Sequence, residues 1–478
     1  MNATTVSALN LPALMIGSLL IFSMITYLLR GLEWITAALA AAFTGSMAIW
    51  LWQVDISTSL REVPFLPAPV DLTAPLERFG FTLQLQPGAV PILTLGLALA
   101  AASFLLAVRS SQGHTFVPFA LALLAAYVFF VLITSGPLAP ALLGPLFLIA
   151  LTIMGIFVLQ AGRLIHPAGP LRTLIPPILA FPFFLIAAWY VAQIPLNPQD
   201  TGPTQTAAQL LSFGLLLLLA PVPLHSSMPA TAQAAPPVVT ALLTLLYQLA
   251  LLFLIYRVFS TFPFIATETP IADLLTFAGL ATAIWGGIAA AGASHPGRLW
   301  GYAALHEWGL LMMVLAVPGI RGWLMVLLLF SLRVVSMLTA ATGLAALEQN
   351  SEQFNPAHLR GLGNRMPWNS AAYLLGGLGL AGFPLSAGFT GHWAALQIIA
   401  TSDWRPAVAV LLASAGAIFG YIRMARLLFG PGAQPPRVHE NPLSAFIALL
   451  AILISASLAL APQLLDAPIS RALIAFSN

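Results

Sequence analysis

Residues Arg360–Gln397, RGLGNRMPWNSAAYLLGGLGLAGFPLSAGFTGHWAALQ, decide how this chain is read. A run apolar enough to cross a bilayer is interrupted at Gly382-Phe383-Pro384, and His392 follows shortly after. In a bilayer an unwound turn leaves backbone N–H and C=O groups without partners, so it persists only where protein or a water-filled cavity surrounds it. The interruption therefore predicts an interior site.

Working outward, a second interruption stands at Ala220-Pro221-Val222-Pro223-Leu224-His225. At about 20 residues per span, the sequence divides into about 14 spans, with the breaks in the seventh (206–224) and the twelfth (369–398). Pro221 and Pro223 mark the first break, Gly382 and Pro384 the second. The two lie five helices apart, and an odd offset reverses membrane orientation. The expected fold is thus an all-α polytopic membrane protein with two inverted five-helix repeats and a site at each break. The alternative is that proline is simply tolerated in membrane helices. Four regions follow: 1–110 with helices 1–3, 111–260 and 261–430 as the two repeats, and 431–478 with the last helix. Between helices 2 and 3, the long loop Gln53–Pro87 contains the alternating run FGFTLQLQ (79–86), which predicts a surface hairpin or amphipathic strand.

Composition narrows the function. The 478 residues are 60% hydrophobic and 6% charged, whereas a soluble domain has about 25% charged residues. Cysteine is absent, which excludes thiolate metal or iron–sulfur ligation, so no cofactor is expected on this chain. The net charge of +3 is spread without a basic block, so no nucleic-acid partner is expected; the bilayer is. All 17 basic residues are arginine. Lysine shifts its pKa readily on burial and arginine does not, so a lysine proton relay is impossible here. With the N-terminus outside, ten loop arginines fall on the cytoplasmic side and six on the other, in accord with the positive-inside rule.

The polar residues within spans are few. His225 sits where the seventh helix unwinds, and either passes a proton or caps freed carbonyls. Gln248, mid-way along the eighth, bonds across helices or holds water but cannot titrate. His306 and Glu307 open the tenth; Glu307 either loads protons or reaches solvent, because a charge at membrane depth faces a partner or a cavity. Arg333, in the eleventh, needs an acceptor from a helix terminus, Glu307 or a partner subunit. His392 is the one group at the second break whose ordinary pKa of about 6.5 allows proton exchange near neutrality, and a packed histidine is the other reading.

The segments PVPLH (221–225), PPVVTALL (236–243), RLWGYAALHEWG (298–309) and RGLGNRMPWNSAAYLLGGLGLAGFPLSAGFTGHW (360–393) resemble the antiporter-like membrane subunits of respiratory complex I and of Mrp-type cation/proton antiporters. The resemblance runs from about Phe79 to Phe429 and is nearest to the M and N subunits. It implies other membrane subunits as partners, a bacterial cytoplasmic membrane location, and a proton path along a row of charged residues. Most of that row is missing. The family's fifth-helix Glu falls at or beside Leu146, its seventh-helix Lys on Leu218, its eighth-helix Lys on Gln248, and its twelfth-helix Lys on His392; a tenth-helix His falls on Glu307, beside His306. Losing a Glu and a Lys together avoids a lone buried charge, so the first half-channel is expected to be retired, with a partial path left through Glu307, Arg333 and His392. The expected function is a membrane-arm subunit of a complex I-like NADH (or other donor):quinone oxidoreductase with reduced or absent translocation in its own channel. A Mrp-type or bicarbonate-uptake module and a non-conducting spacer are the alternatives.

Overall fold

The computed structural model describes residues 8–54, 60–61, 68–160, 168–351, 354, 356–431 and 439–477. Arg163 and Arg437 of the orientation count, and part of the Gln53–Pro87 loop, lie outside them. In chain order the helices are α1 (Leu11–Leu28), α2 (Glu33–Gln53), α3 (Ala89–Ala107), α4 (Phe116–Leu132), α5 (Pro140–Gln160), the single turn α6 (Ala168–Leu171), α7 (Ile175–Gln193), α8 (Gly202–Leu219), α9 (Ser227–Ala234), α10 (Pro237–Thr261), the turn α11 (Ile265–Glu268), α12 (Ile271–Gly292), α13 (Pro296–Leu315), α14 (Gly319–Gln349), the turn α15 (Pro356–Leu359), α16 (Pro367–Leu380), α17 (Gly388–Ala400), α18 (Trp404–Phe429), α19 (Pro442–Leu460) and α20 (Asp466–Ser477).

Eleven of the described helical segments are long and apolar enough to cross a membrane. Three further expected spans differ: α4 has 17 residues, α13 carries His306 and Glu307 along its 20 residues, and the twelfth span is two helices of 14 and 13 residues. Local chemistry sets many of the ends. Asn10, His295, Asp403 and Asn441 accept a backbone N–H as N-caps, and proline occupies the first turn of α1, α7, α8, α10, α13, α16 and α19, where its missing N–H has no helical partner to lose. Large apolar side chains such as Leu20, Ile21 and Met24 point outward, as a lipid-facing surface requires. Inside, small residues let backbones approach. A Cβ on Gly286 would sit 2.5 Å from the His306 nitrogen, and one on Gly279 2.6 Å from the Gly309 carbonyl, so α12 and α13 lie backbone to backbone.

The FGFTLQLQ run forms the expected hairpin. Strands Leu76–Arg78 and Phe81–Leu83 pair antiparallel around Phe79 and Gly80, both at positive φ, as a two-residue turn of this hand demands. The sequence reading missed a third strand, Ile133–Ser135, which adds at the end of α4. It also missed α20. This helix sits beyond the last apolar run, and Arg471 ties it to the end of α2 by donating to the Trp52 carbonyl and, over 3.3 Å, to the Val54 carbonyl, with its guanidinium 4.4 Å from the Trp52 ring centre.

Both interruptions fall where the sequence puts them. At the first, α8 stops at Leu219, Ala220 turns left-handed (φ 50°), and a short 3-10 turn Leu224–Ser226 leads into α9. At the second, α16 stops at Leu380, Gly382 and Leu385 both have positive φ (69° and 68°), and α17 resumes at Gly388. The flanks of the second break are buried, with Ser386 and Ala387 inside, and its tip faces out on the isolated chain. Phe383 and Leu385 are 36% and 77% exposed on the chain surface. The two left-handed residues throw the loop outward, and only its flanks turn inward.

Candidate functional site

Arg333 organises the buried polar centre. The surrounding α14 sequence, LLLFSLRVVSML, supplies no acid one turn away, so a guanidinium on this apolar helix must find its acceptors on other helices. Its Nη1 donates to Glu307 Oε2 over 2.8 Å and to the Ala304 carbonyl over 2.8 Å, and its Nε donates to Gln248 Oε1 over 3.0 Å. Both members of the ion pair are fully buried, at 0% exposure. The guanidinium also lies 5.6 Å from the Trp308 ring centre. Glu307 therefore does not reach solvent, and Gln248 serves as a ligand of the cation. A buried pair of this kind contributes little against an apolar substitute, yet removing one partner costs about 3–5 kcal/mol because the other charge is left unpaired. Glu307 Oε1 and Ser336 Oγ are buried without a hydrogen bond.

The histidines form a second group. His306 Nδ1 lies 2.8 Å from the Ala283 carbonyl and its Nε2 2.9 Å from Ser414 Oγ. A carbonyl only accepts, so Nδ1 holds a proton, and Ser414 Oγ, which itself donates to the Val410 carbonyl over 3.1 Å, is the partner of Nε2. His392 repeats the pattern, with Nδ1 3.0 Å from the Gly388 carbonyl and Nε2 buried without a hydrogen bond. The two rings are nearly parallel, 6.2 Å between centres. Glycines make the room: a Cβ on Gly382 would sit 2.6 Å from His392, and one on Gly388 1.9 Å from the Gly379 carbonyl. Sequence reasoning missed Ser414; its one signal is a hydroxyl on a mostly apolar helix.

The first break is differently furnished. Trp308 Nε1 donates to the freed Leu219 carbonyl over 3.0 Å, and the Val222 N–H finds Thr282 Oγ1 over 3.1 Å. Freed backbone groups there are thus met by an indole and a hydroxyl from α13 and α12. His225 stands edge-on to Trp285, ring centres 5.9 Å apart, and its Nδ1 has no hydrogen bond. Leu218 is fully buried. Leu146 is not part of this interior. It is 44% exposed on the outer face of α5, whereas Gly144 meets Leu254 and Leu148 faces the core. Among the described residues no group of three or more His, Asp or Glu is placed to hold a metal ion.

The two broken helices and the buried ion pair lie within the part of the chain that has known relatives. Residues 191–420 match the family model described as NADH:quinone oxidoreductase/Mrp antiporter, transmembrane. The chain is 29% identical over 267 residues to NADH-quinone oxidoreductase subunit N of Parafrankia sp. (strain EAN1pec), covering 54% of this chain and 50% of that protein; it spans about half the length of the curated relatives it matches. Its fold is similar to a chain of the membrane-bound sulfane sulfur reductase, an archaeal respiratory membrane complex (TM-score 0.78, 16% identity, 97% of each chain). It is also similar to a chain of respiratory complex I from Thermus thermophilus (TM-score 0.72, 18% identity, 98% of this chain and 99% of that one). The chain is thus a multi-pass membrane protein whose residues 191–420 resemble that family and whose fold is similar to these membrane-complex chains.

Proposed function

We propose that the chain serves as a membrane-arm subunit of a complex I-like assembly in a bacterial cytoplasmic membrane, N-terminus outside, with its broken helices arranged as an inverted repeat. Its own proton transfer runs through Glu307, His306 and His392, with Arg333 as the fixed charge beside them. The observation behind this reading is the uneven distribution of charge. The histidine pair lies at the second break and Leu218 and the aliphatic face of α5 line the first, while the ion pair stands between them, Arg333 Nη2 lying 3.9 Å from Met228 Sδ. Arg333 stays charged in essentially any environment, so it biases the site without relaying protons itself. His392, whose Nδ1 lies 3.0 Å from the Gly388 carbonyl, is the exchanging group. The outward loop at Phe383–Leu385 supports life as a subunit. Irregular backbone at membrane depth is tolerated only against protein or water, and this loop is exposed on the isolated chain.

The test is proton stoichiometry per electron pair in proteoliposomes holding the whole assembly. His392→Ala, and the charge-neutral pair Glu307→Gln with Arg333→Gln, are each expected to lower it. Unchanged pumping in both removes the path and leaves a scaffold. The subunits that co-purify identify the parent assembly.

A further inference from the structure

At one end of the bundle, where α3 and α14 finish and α10 and α19 begin, lies a cavity of about 230 Å³. It shares no lining residue with the buried ion pair or with either break. Its polar wall is made by Arg109, Gln349, Asn350, His439, Asn441 and Ser444, over apolar residues such as Leu106 and Val238. None of the described lining residues is Asp or Glu, and neither neighbouring acid, Glu348 or Glu440, is among them. Glu440 is engaged elsewhere, accepting from the Asn369 N–H over 2.8 Å at the start of α16. Two helices end at the cavity and two begin there, so their end charges oppose one another. The guanidinium of Arg109 therefore sets the sign of the wall.

That guanidinium is only partly committed. Its Nη2 donates to Asn441 Oδ1 over 3.4 Å, a long bond that uses one of five N–H groups. Asn441 Oδ1 also accepts from the Leu443 N–H over 3.0 Å, which leaves the amide NH2 of Asn441 to donate. Water fits the space at about 10–15 Å³ each, but water does not neutralise the charge. Helix ends mark the headgroup level of a bilayer. A guanidinium fork matches phosphate oxygens in pairs, and basic pockets between membrane helices take anionic headgroups.

We propose that this cavity binds a phosphate anion, held by Arg109 and the NH2 of Asn441, with the exposed His439 at its rim. A phospholipid headgroup and free phosphate share this chemistry. The assignment uses only the cavity and its charge, and does not depend on the proton path.

The experiment titrates dioleoyl phosphatidylglycerol, dioleoyl phosphatidylcholine and inorganic phosphate separately onto the delipidated full chain in a neutral detergent. Unfolding temperature is read for all three, and retained lipid by native mass spectrometry. The anionic lipid is expected to bind saturably and about tenfold more tightly than the zwitterionic one. Arg109→Gln should weaken it about tenfold. Arg109→Lys should weaken it by less, because it keeps the charge and loses the fork, and it decides the matter if the glutamine variant does not fold. Arg365→Gln, at an exposed arginine just before α16, should change nothing. Arg109-dependent binding of the lipid without a response to inorganic phosphate identifies a headgroup as the source. An Arg109-dependent response to inorganic phosphate identifies free phosphate, and either result supports the site. Binding unchanged by both Arg109 variants, an equal loss in Arg365→Gln, or no binding of either probe overturns it.

Discussion

The two breaks use one backbone device for opposite ends. At the first, a left-handed alanine and two prolines end α8 beside an aliphatic cavity, and the freed carbonyl of Leu219 is met by an indole from α13. At the second, glycines close the gap so tightly that no β-carbon fits at Gly382 or Gly388, and a buried histidine lies against the turn. The lesson is that a broken helix fixes where backbone polarity is released; the side chains around it decide whether the space is filled, wet or charged.

The sharpest way to break this comparison is to unbalance the charged half. Glu307→Gln leaves Arg333 buried without its carboxylate and should cost about 3–5 kcal/mol, read as a fall in the unfolding temperature of the detergent-solubilised protein. Adding Arg333→Met should recover most of the loss. A double variant as unstable as the single one would mean that the pair is not the organising contact. Next in size is a charge placed in the other half: Leu218→Lys, fully buried with no acid beside it, should lose several kcal/mol, while Leu218→Met stays within about 1.5 kcal/mol.

Backbone strain gives a smaller, signed contrast. Gly382→Ala meets both a positive φ and the His392 ring and should destabilise by about 1–3 kcal/mol. Ala220→Gly relieves a left-handed alanine (φ 50°) and should stabilise by about 1 kcal/mol. Equal signs for the two would erase the difference between the breaks.

The smallest effect concerns the start of α13, the helix that holds Glu307. His295 caps it by accepting from the Arg298 N–H through Nδ1, and burial, aided by the Arg298 charge, lowers its pKa from 6.5 to about 4. The unfolded chain takes up a proton below pH 6.5 and the folded one does not until near 4. Stability from this group is therefore present above 6.5 and falls as pH drops toward 4. His295→Asn keeps a cap acceptor and should flatten that acid-side decline, as measured by unfolding temperature at pH 7 and 4.5.

How legible this was depended on range. Breaks, proline-first helices, N-caps and the 76–83 hairpin are set by a few adjacent residues, so the sequence displays them. Arg333 visibly lacked an acceptor on its own helix, and Glu307 was one candidate among three; the choice rests on how α13 and α14 cross, 26 residues apart in the chain. Gln248 as a ligand of Arg333 spans 85 residues and was read only as a bridge to something. Leu146 shows the same limit in reverse. Matching it to a family position said nothing about which face of α5 it occupies, and the helix turns it outward. The outward course of Phe383–Leu385 is not legible in the sequence, because it depends on two left-handed residues, Gly382 and Leu385, that separate the exposed tip from the buried flanks.

The clasp between Arg471 and Trp52 joins positions 419 residues apart. At about 5–20 residues per second, the ribosome needs roughly 20–80 s to supply the arginine after the tryptophan has emerged. During that interval the first helical pair stands in the bilayer without its last fastener, open to exchange with lipid or with other chains. Arg471 thus closes the outer edge of α2 only on molecules whose synthesis has passed position 471.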